Sequence, residues 1–135
     1  MATVFFYGLF MDKDLLEKKG LTPKNVRPAC LKGYQLKIGQ RATLVPADGS
    51  ESYGTIMEMD DEELTQLYSG DGVEEYLPEI VEIQTMTGQS CAVTSYILPP
   101  EKTSGRNSEY AAQLAKVAWK LHLPDAYINE IESWI

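Results

Sequence analysis

The chain has 135 residues, of which 44% are hydrophobic, and this size fits a single domain over residues 1–135 with a sizeable core. Its 20 acidic residues outnumber its 12 basic residues and give a formal net charge of -8. Nucleic acids and anionic membranes are bound through dense lysine and arginine, so the composition argues against both as partners. An anionic small molecule would have to be attracted locally, by backbone donors or by a basic residue such as Arg41.

The cysteines and the histidine exclude several kinds of site. Cys30 and Cys91 form neither a Cys-x-x-Cys pair nor a cluster with histidine, which predicts buried, reduced thiols in a cytoplasmic protein. His122 is the sole histidine, so a histidine-based zinc site is not expected. The apolar segment 4–6 is too short for a signal-peptide core or a membrane span.

The N-terminal part predicts a strand, a short helix and a second strand. Residues 2–7 are β-branched and aromatic, which is typical of a buried strand. Residues 11–19 fit a helix that Asp12 caps. Pro28 is expected to break the connection that follows, and residues 34–38 then alternate between apolar and polar in the period of a strand.

The central part predicts two hairpins. Residues 42–45 and 53–59 are apolar runs that flank an Asp-Gly pair at 48–49, the sequence of a tight turn. Residues 80–83 and 92–97 form a second pair of strand-like runs around a glycine turn. The centre of the protein is therefore expected to be a meandering sheet.

Three further helices are predicted. Asp60 and Glu63 match the capping-box pattern before a helix over residues 61–68. Apolar residues then recur at helical spacing over 111–121 and 127–134. One of the polar residues 107–108 is available to cap the first of these two helices, and both tryptophans are expected to cover the core.

An acidic segment, residues 67–76, joins the predicted helix to the second hairpin. Asp71, Glu74 and Glu75 lie there beside two glycines. Loops held by a rigid scaffold often carry function, and a carboxylate at a pocket rim can act as a general acid and base. A solvated acidic turn is the commoner role of such a sequence, so these residues alone leave both roles open.

Residues at the joints of these elements resemble the γ-glutamylcyclotransferase-like family over nearly the whole chain. Residues 4–11 are similar to the family's opening strand and its Tyr-Gly-(Ser/Thr)-(Asn/Leu) loop. Residues 42–46 and 53–56 are similar to its hairpin, an Ala-Thr-apolar strand followed by an apolar-Gly-apolar strand. Residues 108–110 and 123–127 resemble its C-terminal Ser-x-x-Tyr and Leu-Pro-x-x-Tyr motifs.

The acidic segment adds the most specific part of the resemblance. In the family, a helix ending in Leu-Asp leads to Glu-Gly and then to a tyrosine at the start of the next strand, and this chain has Leu67, then Asp71 and Gly72, then Tyr76. The resemblance implies an α+β fold, a small mixed or antiparallel β-barrel flanked by helices.

The resemblance also implies a reaction that needs neither a metal nor another cofactor. The α-amine of a γ-glutamyl group attacks its own γ-amide carbonyl, which gives 5-oxoproline and releases an amine or peptide. The partner would then be a small-molecule γ-glutamyl substrate, with Asp71 as general base and acid. The implied substrate-binding residues are Tyr7, Gly8, Leu9, Phe10 and Tyr76.

Two positions depart from the family pattern. Asp71 stands where the family usually has glutamate, and its carboxylate is one methylene closer to the backbone, a shift of about 1.5 Å. Glu74 and Glu75 are the alternates for the catalytic role. Leu9 and Phe10 replace small polar residues, which favours a more apolar ligand. A non-catalytic member of the same fold, binding a small molecule or a protein, is the alternative function.

Overall fold

The computed structural model describes residues 2–70 and 73–135. Within them the chain forms strands and helices in the order expected for a mixed α+β domain. The strands are β1 (Ala2–Phe6), β2 (Lys24–Ile38), β3 (Ala42–Met59), β4 (Leu77–Thr85) and β5 (Ser90–Ile97). The α-helices are α1 (Lys13–Lys18), α2 (Asp61–Leu67), α3 (Ser108–Lys120) and α4 (Asp125–Glu132), with short 3-10 turns at Leu9–Met11 and Pro100–Lys102.

The strands close into a barrel in the order β1-β3-β2-β4-β5. All neighbouring strands are antiparallel except β1 and β5, which pair in parallel at Val4 and Thr94. Residues 4–6 of β1 are all buried, as expected for a strand with both faces covered. The predicted α+β barrel flanked by helices is confirmed.

The predicted hairpin at 48–49 is wrong, because β3 continues through it. Tyr34 pairs with Pro46 and Lys32 pairs with Glu51, so residues 47–50 bulge out opposite a single residue of β2. Gly49 has a φ of 82°, which glycine adopts without strain. The chain reverses instead at residues 39–41, between β2 and β3.

The predicted break at Pro28 is also wrong. Pro28 lies within β2 and pairs with Thr55 of β3. Proline lacks a backbone N–H but is tolerated at strand positions that do not need that donor, often near bulges. A register shift between Lys24 and Arg27 precedes it. The two long strands β2 and β3 therefore form one bulged ribbon, where the sequence predicted several short strands.

Gly54 allows β1 and β3 to approach closely. A Cβ atom at this position would lie 2.0 Å from the carbonyl oxygen of Phe6, a distance that no side chain tolerates. The absence of a side chain at Gly54 therefore fixes the end of β1 against β3. The loop that begins at Tyr7 leaves the barrel from this point.

The helices near the N-terminal half are confirmed, but one of their caps is not. Asp12 caps α1 by accepting from a backbone N–H of its first turn at 3.1 Å. The capping box before α2 is wrong, because the Asp60 side chain makes no cap bond. The carboxylate of Glu63 instead accepts from the Thr22 N–H at 2.9 Å, which ties α2 to the segment that precedes β2.

The two C-terminal helices bury the predicted apolar stripes. Asn107 caps α3 by accepting from the Tyr110 N–H at 3.0 Å. The prediction that both tryptophans cover the core is wrong for Trp119, which is 72% exposed because Ala118 occupies the inward position. Trp134 is half-buried and packs against the core.

Both cysteine thiols are free, but they are half-buried instead of fully buried. Cys30 faces outward on β2 because its neighbours Ala29 and Leu31 point into the core. No cluster of potential metal ligands occurs among the described residues. No helix within residues 2–70 or 73–135 is long and apolar enough to cross a lipid bilayer.

Candidate functional site

A cavity of about 200 Å³ lies where the loop after β1 meets the β2–β3 turn, the end of α2, β5 and α3. Most of its walls are aromatic. The residues that line it are Phe6, Tyr7, Gly8, Leu9, Phe10, Arg41, Ala42, Tyr68, Val73, Tyr76, Tyr96 and Tyr110.

Gly8 leaves room for a tyrosine side chain that packs against it. A Cβ atom at Gly8 would lie 2.7 Å from the hydroxyl oxygen of Tyr110 on α3. The same hydroxyl accepts from the Leu9 N–H at 3.4 Å. The glycine therefore lets α3 hold the loop after β1 at the cavity wall.

Four rings form a connected wall that we call the Tyr68 cluster: Phe10, Tyr68, Tyr76 and Tyr96. Tyr68 stacks on Tyr96 with ring centroids 4.0 Å apart and an interplanar angle of 13°. Phe10 meets Tyr68 edge-on at 5.8 Å, and Tyr76 lies 6.1 Å from the same ring. Tyr68 is thus the centre of the wall, since it contacts each of the other three rings.

Hydrogen bonds to main-chain carbonyls fix two of the cavity tyrosines. The Tyr7 hydroxyl donates to the carbonyl of Tyr96 at 2.8 Å. The Tyr76 hydroxyl donates to the carbonyl of Ala42. These donors are already engaged within the protein, so the two side chains contribute mainly their rings to the cavity.

All five cavity tyrosines are held in the neutral form. Burial is the main cause that raises the pKa of Tyr7, Tyr68, Tyr76 and Tyr96 above the ordinary value. Burial also raises the pKa of Tyr110, to about 12. At neutral pH these hydroxyls can therefore donate or accept hydrogen bonds, but they cannot serve as anionic bases.

The charge at the cavity comes from the β2–β3 turn. Arg41 is half-buried, and a guanidinium nitrogen lies 3.6 Å from a carboxylate oxygen of Glu75. Among the cavity-lining residues that the structure describes, Arg41 is the only one with a charged side chain. Arg41, the basic residue expected to attract an anionic ligand, therefore lies at a cavity whose other described walls are uncharged and mostly aromatic.

A family model described as gamma-glutamyl cyclotransferase, AIG2-like matches residues 4–120. The chain belongs to this family. The resemblance seen in the sequence motifs is thereby confirmed. A comparison with curated proteins gives no significant match.

Several solved structures have the same fold as this chain. An uncharacterized human protein is 20% identical with a TM-score of 0.84, covering 99% of this chain and 88% of that chain. A gamma-glutamyl cyclotransferase is 19% identical with a TM-score of 0.77 and the same coverage. An AIG2-like protein from Mus musculus is 20% identical with a TM-score of 0.62, covering 81% of this chain and 90% of that chain.

The acidic segment borders the cavity through its described residues. Tyr68 and Val73 both line the cavity, while Asp71 and Gly72 lie outside the described residues. Glu74 is exposed, and its carboxylate accepts from the Val73 N–H at 3.1 Å. Glu75 is exposed and pairs with Arg41. Neither glutamate lines the cavity.

The structure brings together the five residues that the resemblance implied for binding, and their role stays a prediction. They are Tyr7, Gly8, Leu9, Phe10 and Tyr76, and all of them line the cavity. Sequence reasoning did not assign Tyr68, Tyr96 or Tyr110 to the site. Tyr110 lies in the segment 108–110 that carries part of the family resemblance, and Tyr68 precedes the acidic residues. Those two therefore carried a signal, whereas Tyr96 carried none.

Proposed function

We propose that this protein cyclises the γ-glutamyl group of a small γ-glutamyl amine or peptide to 5-oxoproline and releases the amine. The observation that carries the proposal is the cavity itself. In a chain of the gamma-glutamyl cyclotransferase family, the loop after β1 and the described residues on both sides of Asp71 line one small cavity.

The substrate supplies the nucleophile in this reaction. Its α-amine forms a bond to the γ-carbonyl carbon, and the amide bond to the released amine breaks. The protein has to fold the substrate into the attack geometry, accept a proton from the attacking amine and return one to the leaving nitrogen. A cavity of about 200 Å³ with packed aromatic walls suits the first task.

A carboxylate is the group best suited to move these protons. The cavity tyrosines are neutral at physiological pH because burial raises each pKa, so none of them is a ready base. We assign the role to Asp71, since its described neighbours Tyr68 and Val73 line the cavity. Glu74 and Glu75 remain the alternates, and their exposure makes them weaker candidates.

Arg41 is suited to hold the α-carboxylate of the glutamyl group. A guanidinium binds a carboxylate through paired, charge-assisted hydrogen bonds. Arg41 lies at the cavity on the short β2–β3 turn and is half-buried, so solvent screens its charge less than it would at a free surface. Its ion pair with Glu75 also links the turn to the acidic segment.

The second candidate function is binding without cyclisation. The observation that favours it is that Glu74 and Glu75 do not line the cavity, which leaves catalysis to Asp71, a residue shorter than the family's usual glutamate. A misplacement near 1 Å can cost about a hundredfold in rate. In this case the cavity would hold a small carboxylate-bearing molecule unchanged.

The deciding experiment measures 5-oxoproline formation from a panel of γ-glutamyl amines and peptides. We expect the unmodified protein to form 5-oxoproline and Asp71→Asn to lower kcat by at least about a hundredfold, the scale of general acid-base catalysis. Glu74→Gln and Glu75→Gln test the two alternates, because each removes one exposed carboxylate from the same segment, and each should keep far more activity than Asp71→Asn.

Three outcomes separate the candidates. Activity that depends on Glu75 instead of Asp71 would move the proton-transfer role to that residue. No 5-oxoproline from any substrate, at enzyme concentrations near those of the substrate, would contradict the cyclotransferase proposal. Saturable binding of a γ-glutamyl compound without any turnover would support the second candidate.

A further inference from the structure

We infer that the amine released from the γ-glutamyl substrate carries an apolar, uncharged group that packs against the Tyr68 cluster. The inference rests on the proposed cyclotransferase function and narrows its substrate class. It separates alkyl and aryl amines from diamines, amino acids and peptides, all of which carry a charge beyond the scissile amide.

The volume of the cavity limits the ligand to a small molecule. Ligand pockets commonly measure about 300–1,000 Å³, and this cavity measures about 200 Å³. A glutamyl group fills much of such a space. Any further part of the substrate that stays inside the cavity must therefore be compact and in close contact with the wall.

The wall offers ring surfaces to that remaining part. Tyr68 is held between the rings of Phe10, Tyr76 and Tyr96 at centroid distances of 4.0–6.1 Å. The hydroxyls of Tyr7 and Tyr76 already donate to protein carbonyls. A carboxylate or carbonyl placed here would lose water without gaining a donor from these two hydroxyls, whereas an apolar group gains from burial.

Charged groups are disfavoured at the same place for two reasons. Aromatic rings can attract an ammonium group, but Arg41 carries the only charged side chain among the described lining residues, and Asp71 is assigned to the proton of the attacking α-amine. A second ammonium group would therefore lose water without a carboxylate partner of its own. A second carboxylate, as in a γ-glutamyl amino acid, would have to compete with the glutamyl carboxylate and with Glu75 for Arg41.

The first experiment compares one apolar substrate with two charged substrates. γ-Glutamyl-n-pentylamide ends in a methyl group where γ-glutamyl-(4-aminobutyl)amide ends in an ammonium group, and γ-glutamylalanine adds a carboxylate. We expect kcat/KM for the pentylamide to exceed that of each charged compound by at least about tenfold. Equal values, or a preference for either charged compound, would overturn the inference.

A binding experiment separates this inference from the proposed function. The N-pentyl and N-(4-aminobutyl) monoamides of glutaric acid lack the α-amine and cannot cyclise. Calorimetry therefore measures the affinity of the protein for each ligand without any contribution from turnover. Tighter binding of the pentyl compound by at least about tenfold supports an apolar subsite even if no substrate turns over. Turnover of γ-glutamyl amides with no difference between these two ligands would refute the inference and leave the proposed function standing.

Two variants test whether the Tyr68 cluster is the surface involved. Tyr68→Ser should reduce the pentyl preference to within about threefold, and Phe10→Ser should do the same if the first variant does not fold. Trp119→Ser is the matched control, since Trp119 is aromatic and 72% exposed but does not line the cavity. A pentyl preference that survives both cluster substitutions would place the apolar group elsewhere.

Discussion

The Tyr68 cluster and the Tyr53–Tyr127 pair use the same residue type for different purposes. In the cluster, several rings surround an open cavity and Tyr68 is half-buried. In the pair, Tyr127 of α4 is 3% exposed and meets the Tyr53 ring of β3 edge-on, with centroids 5.1 Å apart. One group of tyrosines forms a wall that a ligand can reach, and the other attaches a helix to the barrel.

The hydroxyl groups show the difference most clearly. The hydroxyl of Tyr7 at the cavity is bonded to a carbonyl of another strand, so it fixes the position of the ring. The buried hydroxyl of Tyr127 makes no hydrogen bond of ordinary length among the described groups, although it lies near polar groups of Tyr53 and Ser52. Tyr127 therefore contributes through ring packing, whereas a cavity tyrosine contributes through both its ring and its hydroxyl.

The largest expected effect is on stability when the packing tyrosine is truncated. Tyr127→Ala removes a buried ring between α4 and β3, and large-to-small changes of aromatic residues in cores cost about 3–5 kcal/mol. Tyr68→Ala should cost clearly less, because its ring borders a space that is already open. Urea unfolding of both variants measures this. A larger loss for Tyr68→Ala would remove the distinction between the two regions.

The next largest effect concerns the loop after β1. Gly8→Ala places a Cβ atom 2.7 Å from the Tyr110 hydroxyl, so the loop or α3 must shift, and we expect about a hundredfold lower kcat/KM. Tyr110→Phe in the same chain removes that oxygen and should restore part of the loss. Steady-state kinetics on Gly8→Ala, Tyr110→Phe and the double variant test this. Strictly additive effects would show that the contact is not the cause.

A smaller effect distinguishes the two kinds of hydroxyl. Tyr7→Phe removes the hydroxyl that donates to the Tyr96 carbonyl and should lower the free energy of unfolding by about 1–2 kcal/mol. Tyr127→Phe removes a hydroxyl that makes no hydrogen bond of ordinary length and should change the free energy of unfolding by less than about 0.5 kcal/mol, or raise it. Chemical denaturation of the Tyr7→Phe and Tyr127→Phe variants measures both changes. Equal losses would mean that Tyr127 has a partner in solution.

The smallest effect per residue is expected at alkaline pH, where both regions should behave alike. Burial raises the pKa of Tyr68 and of Tyr127 above the ordinary tyrosine value of 10.0. The unfolded chain then loses these protons first, so stability is full below pH 10 and falls as pH rises through the folded-state pKa. Each tyrosine contributes at most about 1.4 kcal/mol per pH unit.

Unfolding followed between pH 9 and 11 tests this alkaline loss. Tyr68→Phe and Tyr127→Phe should each reduce the slope by a similar amount, since burial is the first cause of both shifts. If only Tyr68→Phe reduces the slope, the alkaline loss of stability comes from the cavity alone.

The sequence predicts elements whose signal is local. The buried strand β1, the β4–β5 hairpin and the stripes of α3 and α4 follow from hydrophobic period and capping residues over a few turns. The length of β3 does not, because an Asp-Gly pair serves a tight turn and a bulge equally well. The bulge forms where β3 stays paired with β2 on both sides of it, with Gly33 opposite residues 47–50, and that long-range pairing leaves no local signal.

The site was predictable where family motifs mark it and unpredictable where rings converge from distant segments. The loop at residues 7–10 and Tyr76 were found from the motifs, and all line the cavity. Tyr96 reaches Tyr68 through the pairing of β5 with β4, in which Tyr96 lies opposite Pro78, two residues after Tyr76. No local pattern records the register of that pairing, so the aromatic wall could not be derived from spacing alone.

The parallel pairing of β1 with β5 also has a consequence for how the chain folds. Val4 and Thr94 are far apart in sequence, and pairing such residues requires closure of a long loop before contacts repay its entropy. The β2–β3 ribbon turns locally and can form early. We therefore expect barrel closure to be a late folding step, and ligand binding to report its completion, since the cavity draws its walls from residues on both sides of that closure.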